Sequence, residues 1–258
     1  MELRDWAEIL LSSNTLENKL MFPNTLSDES PGPKKIWEIP SRPYGMDFQK
    51  RSKEERLPPL KSLEDPNKRA TCLHRFAGHE LLAIEIMAFA LLAFPDSPKH
   101  FRMGIAQTIK DEQKHLKLYI KRLKELGVEF GQYPLYKHFW AHVKFFKDPI
   151  HYVSAMNLTF EMANLDFAPM YGKVFEQFGD HASKDLMNII LNDEIKHVSF
   201  GWNWLKKFKP EATNMWQAWI ESQTLLLFPK RAKGKCFLEE PRIKAGISPD
   251  WIEELKKQ

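Results

Sequence analysis

Two five-residue stretches constrain this chain more than anything else in it. Asp111-Glu112-Gln113-Lys114-His115 and Asp193-Glu194-Ile195-Lys196-His197 agree at four of five positions and lie 82 residues apart. Each contains Glu-x-x-His. Three residues is close to one helical turn, so a carboxylate and an imidazole leave the same helix face and can hold one cation. Chance placement of 22 Glu and 9 His in 258 residues gives about 0.8 such pairs, so two occurrences alone decide little. The shared context decides more. It makes the chain read as two related halves, each with the pair on its second long helix.

The surrounding pattern fits that reading. Residues 1–68 hold eight of the seventeen prolines, which predicts an extended arm with one short helix near Leu3–Leu11. Trp6, Leu10, Leu11 and Trp37 call for burial, so the arm is expected to wrap a core formed by later residues. Residues 70–94 are nearly all apolar and free of proline, too long for a strand, and predict a buried helix. Pro95-Asp96-Ser97-Pro98 breaks the chain, with Asp96 or Ser97 available to cap a second helix over 98–126 that stops at Gly127. Residues 128–148 are irregular, with a short helix expected near 135–146. A third long helix is predicted over 149–177, bent near Pro169, and a fourth over 182–208 after Gly179-Asp180. Shorter helices are expected near 211–227 and 249–257, and no run reads as a strand. Short links within pairs and a long connection between them predict an all-α, ferritin-like four-helix bundle with one crossover connection. The expected divisions are an N-terminal arm (1–68), the bundle (69–210) and a C-terminal helical extension (211–258).

Composition removes other classes. With 43% hydrophobic residues, 38 basic against 34 acidic residues and two cysteines, the chain is neither collagenous, disulfide-stapled nor disordered throughout. Cys72 and Cys236, far apart, suit a reducing cytoplasm. The apolar stretch from Leu81 to Phe94, interrupted by Glu85, is expected to be too short to span a bilayer, and the first residues lack the form of a signal peptide. No Gly-rich nucleotide loop and no Cys–His or Ser–His nucleophile arrangement is evident. The basic run Lys230-Arg231-Ala232-Lys233-Gly234-Lys235 reads as a solvated loop, with phosphate binding as the sharper alternative.

A dinuclear site needs a carboxylate from each of the other two helices. The first offers Glu80 and Glu85, the third Glu161 and Asp166, again in matching pairs. In an antiparallel hairpin, facing residues lie equally far from the turn. Glu80 and Glu112 each lie 16 residues from Asp96, about 24 Å along their helices. Glu161 and Glu194 are centred just before Gly179, whereas Glu85 with Glu112 is centred inside the second helix. Counting therefore selects Glu80 and Glu161, with Asp166 also acceptable. Glu80 sits among Phe76, Ala83, Ile84 and Met87, where a carboxylate is costly unless paired, neutralised or metal-bound. Six oxygen and nitrogen ligands suit iron or manganese over structural zinc. Asp111 and Asp193 are expected as partners of the ligand histidines, Asp193 with His115 and Asp111 with His197. Tyr119, one turn beyond His115, is either a redox-active phenol or core packing. His74, His79, His138, His142 and His151 show no competing spacing.

At these residues the chain resembles the ferritin-like di-iron carboxylate superfamily. Within it, the whole chain is similar to a bacterial family known only as a ferritin-like domain of unknown function. The likeness is carried by RATCLHRFAGHELLAIEIMAFALLAFPDSP, DEQKHLKLYIKRL and DEIKHVSFGW, with the N-terminal arm and RIKAGIS also similar. The Asp-Glu-x-x-His form is similar to bacterial multicomponent monooxygenases. The spacing of Glu112, His115 and Tyr119 is similar to the radical-generating subunit of ribonucleotide reductase, although Gly201 stands where a second tyrosine would match. The resemblance implies a di-iron site and O₂ chemistry. The expected protein is a cytoplasmic oxidoreductase with two iron ions (manganese or mixed Fe/Mn as variants), bridged by Glu112 and Glu194 and flanked by Glu80/His115 and Glu161/His197. It would oxidise or hydroxylate a small organic substrate with O₂ and an external electron donor, without a membrane or, in the leading reading, a nucleic acid. The alternatives are a ferroxidase or metal-handling protein, a tRNA-modifying hydroxylase using the basic loop, and a structural protein with a vestigial site.

Overall fold

The structure, a computed structural model, describes residues 1–50, 57–224 and 227–258. It is all-α apart from two strands of two residues each, and its chain gathers into two compact units, Met1–Ala141 and His142–Gln258. The expected arm and the expected 211–227 helix each include residues outside the described ones, 51–56 and 225–226.

The first unit opens with helix α1 (Leu3–Ser12), whose Leu3, Trp6, Ala7, Leu10 and Leu11 form one buried stripe against α3 (Pro66–Ala93). The Trp6 indole N–H donates to Met21 O at 2.9 Å, which ties down the single turn α2 (Leu16–Lys19) and the segment after it. Trp37 differs from expectation. It is only half-buried, with the Lys35 ammonium 4.9 Å above its ring. Helix α3 starts earlier than its apolar run suggests. Asp65 accepts from the Asn67 N–H as N-cap and Pro66 takes the first helical position, where its missing N–H costs nothing.

Helix α4 (Lys99–Glu125) follows with Pro98 at its N-cap and no side-chain cap, so neither Asp96 nor Ser97 plays the expected part. Pro98 holds Ser97 out of helical geometry and moves the start one residue on. Buried Arg102 locks this corner. It forms a two-pronged ion pair with Asp28 of the arm (2.8 and 3.0 Å) and donates to the Leu91 and Phe94 carbonyls at the end of α3. Strand β1 (Phe48–Gln49) pairs in parallel with β2 (Leu135–Tyr136), a small departure from the strand-free expectation. Among the described residues, α3 is the one helix long and apolar enough to cross a membrane, and 89% of its most apolar window is buried inside the protein. Counting from Leu81 understates its length, because buried Ala70, Cys72, Leu73 and Ala77 extend the stripe.

In the second unit, α5 (Pro149–Ala155) passes into a π-helical segment (Met156–Glu161) and then α6 (Met162–Gln177). The helix runs on through Pro169; the departure from α geometry lies at the π turn instead. Gly179, at φ +74°, makes the hairpin turn, and Asp180 caps α7 (His181–Phe208) by accepting from the Ser183 N–H at 2.9 Å. Helices α8 (Met215–Glu221), α9 (Glu239–Lys244) and α10 (Pro249–Lys257) complete the unit. Trp202 of α7, Trp216 and Trp219 of α8 and Trp251 of α10 pack as one cluster, with ring centroids 4.9–5.8 Å apart.

Candidate metal centre

Each unit carries a triad of two carboxylates and one imidazole on its own helical hairpin. In the first, Glu80 of α3 meets Glu112 and His115 of α4, with one ligand atom from each within 4.8 Å of the others. His115 is fully buried; its Nδ1 lies 3.1 Å from Glu112 Oε2 and 3.9 Å from Glu80 Oε2. In the second, Glu161, at the end of the π segment, meets Glu194 and His197 of α7 within the same 4.8 Å limit. His197 Nδ1 lies 3.5 Å from Glu194 Oε2. In both triads Nδ1 is the nitrogen turned to the carboxylates. All six residues are buried, so ionising both carboxylates of either pair would place negative charge away from water. A cation offsets that cost, and these are groups that could hold a metal ion.

The two rival acids are occupied elsewhere. Glu85 is fully buried and bound by both Lys19 Nζ (2.9 Å) and the Arg42 guanidinium, residues of the arm. Burial pulls the Lys19 pKa below its ordinary value, and the Glu85 charge opposes that shift. Asp166 takes a two-pronged ion pair from Arg242 of α9 (2.7 and 2.9 Å) and accepts backbone N–H bonds from Gly234 and Leu238, each 2.8 Å. The acid five residues after Glu80 and the acid five residues after Glu161 thus each fasten a chain extension to their hairpin. The basic run contributes here as well: Gly234 N–H serves Asp166, Ala232 O accepts from Arg242, and Lys233 Nζ donates to Lys256 O at 2.8 Å.

Of the remaining expected site residues, Asp111 and Tyr119 lie on α4 and Asp193 on α7. Asp193 is buried with Lys196 Nζ 2.8 Å from its Oδ1, and half-buried Asp111 has Gln107 Nε2 at 3.4 Å. Tyr119 is buried edge-on to Phe76, centroids 6.2 Å apart. His74 is a structural histidine. Its Nε2 accepts the backbone N–H of Gly131 (2.9 Å) and Tyr133 (3.4 Å), and burial pushes its pKa down to about 4. His142, bonded to Thr224 Oγ1 at 2.8 Å, is likewise pushed down to about 4 by burial. His79 and His138 stack on each other, and His151 closes the capping box of α5. Cys72 is free and buried, its thiol pushed up to about 12, and Cys236 is free and exposed.

Two residues escaped sequence reasoning, Asn157 and Asn164, and the role of a third, Gly201, did too. Asn157, fully buried in the π segment, donates Nδ2 to Glu161 Oε2 at 2.6 Å, and Asn164 donates Nδ2 to Glu194 Oε1 at 2.7 Å. Gly201 lets α7 approach, since a Cβ there would sit 2.2 Å from Asn157 Cβ. The same five-residue echo could have exposed them. Aligned on the ligands, Asn157, Asn164 and Gly201 stand where the first hairpin has Phe76, Ala83 and Tyr119.

The comparisons with known proteins supply kinship and no chemistry. A Haemophilus influenzae relative described as "Uncharacterized protein" is 25% identical over 214 residues, covering 77% of this chain and 73% of its own. No solved structure matches. A family model described as "Protein of unknown function (DUF455)" matches residues 7–253, and the chain belongs to that family.

Proposed function

We propose that the two triads are halves of one di-metal centre in a ferritin-like four-helix bundle with a single crossover, and that the protein is a di-iron oxidoreductase. The observation that carries this reading is the recurrence of one buried Glu, Glu, His set on each hairpin, with ligand atoms within 4.8 Å. Four carboxylates and two imidazoles form an oxygen-rich donor set suited to iron or manganese. Glu80, Glu112, His115, Glu161, Glu194 and His197 would hold the two ions. The engagement of Glu85 by Lys19 and Arg42, and of Asp166 by Arg242, favours this set over its rivals. With Nδ1 of each histidine facing its glutamates, Nε2–H remains for Asp111 and Asp193 to orient.

Bound iron would supply reductive activation of O₂, with electrons from an external donor, to oxidise or hydroxylate a small organic substrate. The chain's own part is to bury the donors, fix their rotamers and exclude water. Free cysteines agree with a cytoplasmic setting.

The deciding measurement is metal content of the full chain purified from iron-supplied cells. Two iron or manganese ions per chain are expected, and Glu112→Ala with Glu194→Ala should abolish binding. Retention of two metals by that double variant, or none in the parent, would sink the site. A shell-sized particle on gel filtration would instead move the reading to metal storage.

A further inference from the structure

The two hairpins carry the same candidate ligand types, and the second has carboxamides, Asn157 and Asn164, where the first has Phe76 and Ala83. We propose that Asn157 and Asn164 are positioning residues of the second triad, each committing one carboxylate oxygen so that the other is presented to a metal. This rests on the metal-site reading above.

The geometry divides the oxygens consistently. Asn164 takes Glu194 Oε1, while Oε2 is the oxygen 3.5 Å from His197 Nδ1. Asn157 takes Glu161 Oε2, so Oε1 is the oxygen that can turn to a cation. The amide of Asn157 can face Glu161 only through its nitrogen, because its own oxygen would meet a carboxylate oxygen. Holding that orientation leaves Asn157 Oδ1, in a fully buried residue, with no hydrogen-bond partner among the described residues. A buried orphan acceptor is a cost that folding alone would remove.

The backbone is built around the same residue. A π turn, a feature that concentrates at functional sites, brings Asn157 one turn before Glu161, and Gly201 clears the space opposite. The first hairpin places Phe76, Ala83 and Tyr119 at these positions, and neither Phe76 nor Ala83 can donate to a carboxylate. Asn157 and Asn164 therefore orient the second metal position where the matching Phe76 and Ala83 cannot orient the first, and the two positions should bind with different constants.

The test is stepwise Co(II) titration of the metal-free full chain, read by the d–d spectrum, which reports coordination geometry, with thermal melting of the metal-free forms alongside. Asn164→Ala and Asn157→Ala should each weaken one of two Co(II) steps by about tenfold to a hundredfold and alter one component of the spectrum, leaving the other unchanged. Because Asn164 is only half-buried and alanine favours helix, Asn164→Ala carries the test if Asn157→Ala fails to fold. Asn164→Gln, which keeps the amide, should recover part of the loss. Two parental Co(II) steps with a parental spectrum in Asn164→Ala would overturn the proposal while leaving the metal site standing. Failure of the parent to bind Co(II) would overturn both.

Discussion

The two hairpins show how one Glu, Glu, His pattern can be set in two different interiors. In the first, α3 and α4 are continuous α-helices, and the turn beyond the triad is filled by Phe76 and Tyr119. In the second, the first helix carries a π turn, and Asn157 and Gly201 occupy the matching places. Both hairpins use their spare acid to fasten a chain extension, but by different means. Glu85 is shared between Lys19 and Arg42, whereas Asp166 depends on the single side chain of Arg242 and two backbone N–H groups. Equal residue lists therefore do not imply equal environments: the surroundings are where the two triads differ.

That comparison can be broken most forcefully at the clamps. Arg242→Ala strands a buried carboxylate and should cost about 3–5 kcal/mol in urea unfolding. Arg42→Ala leaves Lys19 on Glu85 and should cost about 2 kcal/mol. Equal costs would show that the clamps are equivalent after all.

Acid should act on both units alike. His74 and His142 sit in different units, and burial lowers each pKa to about 4 from the ordinary 6.5. The unfolded chain takes up protons that the folded rings refuse. The stabilisation is complete above pH 6.5 and is lost as pH falls from 6.5 to about 4, on the order of 3 kcal/mol for each ring. His74→Gln, which keeps an acceptor for Gly131, should flatten that slope in pH-dependent unfolding. An unchanged slope would mean that His74 titrates normally.

Smaller effects sharpen the contrast near the ligands. Gly201→Ala should cost about 1–3 kcal/mol, because the new Cβ and Asn157 Cβ cannot both keep their places. Tyr119→Phe, at the matching place of the first hairpin, should cost about 1 kcal/mol and leave the metal count unchanged. Loss of metal in that variant would put the phenol among the ligands.

What the sequence revealed follows from the range of the forces involved. Helices α3, α4 and α7 are set by local periodicity, proline placement and glycine turns, so their extents were legible to within a few residues apart from the Asp65-Pro66 start of α3. Counting from the turn separated Glu80 from Glu85, since both helices of that hairpin are regular. It also puts Glu161 level with Glu194, because the π segment ends at Glu161 and the helix from there to the turn is regular, but it left Asp166 equally acceptable. The π turn itself was invisible: it depends on how closely α7 approaches, and Gly201 reads in isolation as a merely weak helix former. Nor could counting dismiss Asp166, whose partner Arg242 lies 76 positions away. Burial of Trp37 was overestimated because Lys35 shields its ring without a core around it.

The placement of the clamps also fixes an order in time. When Glu85 leaves the ribosome, Lys19 and Arg42 already exist, having been made 66 and 43 residues earlier. Asp166 is made 76 residues before Arg242. At roughly 5–20 residues per second, its carboxylate waits about 4–15 s for its counterion. The first hairpin can close as it emerges, while the second holds an unneutralised acid in its interior until nearly the last helix is synthesised. During that interval the second unit is the part of the nascent chain most in need of protection.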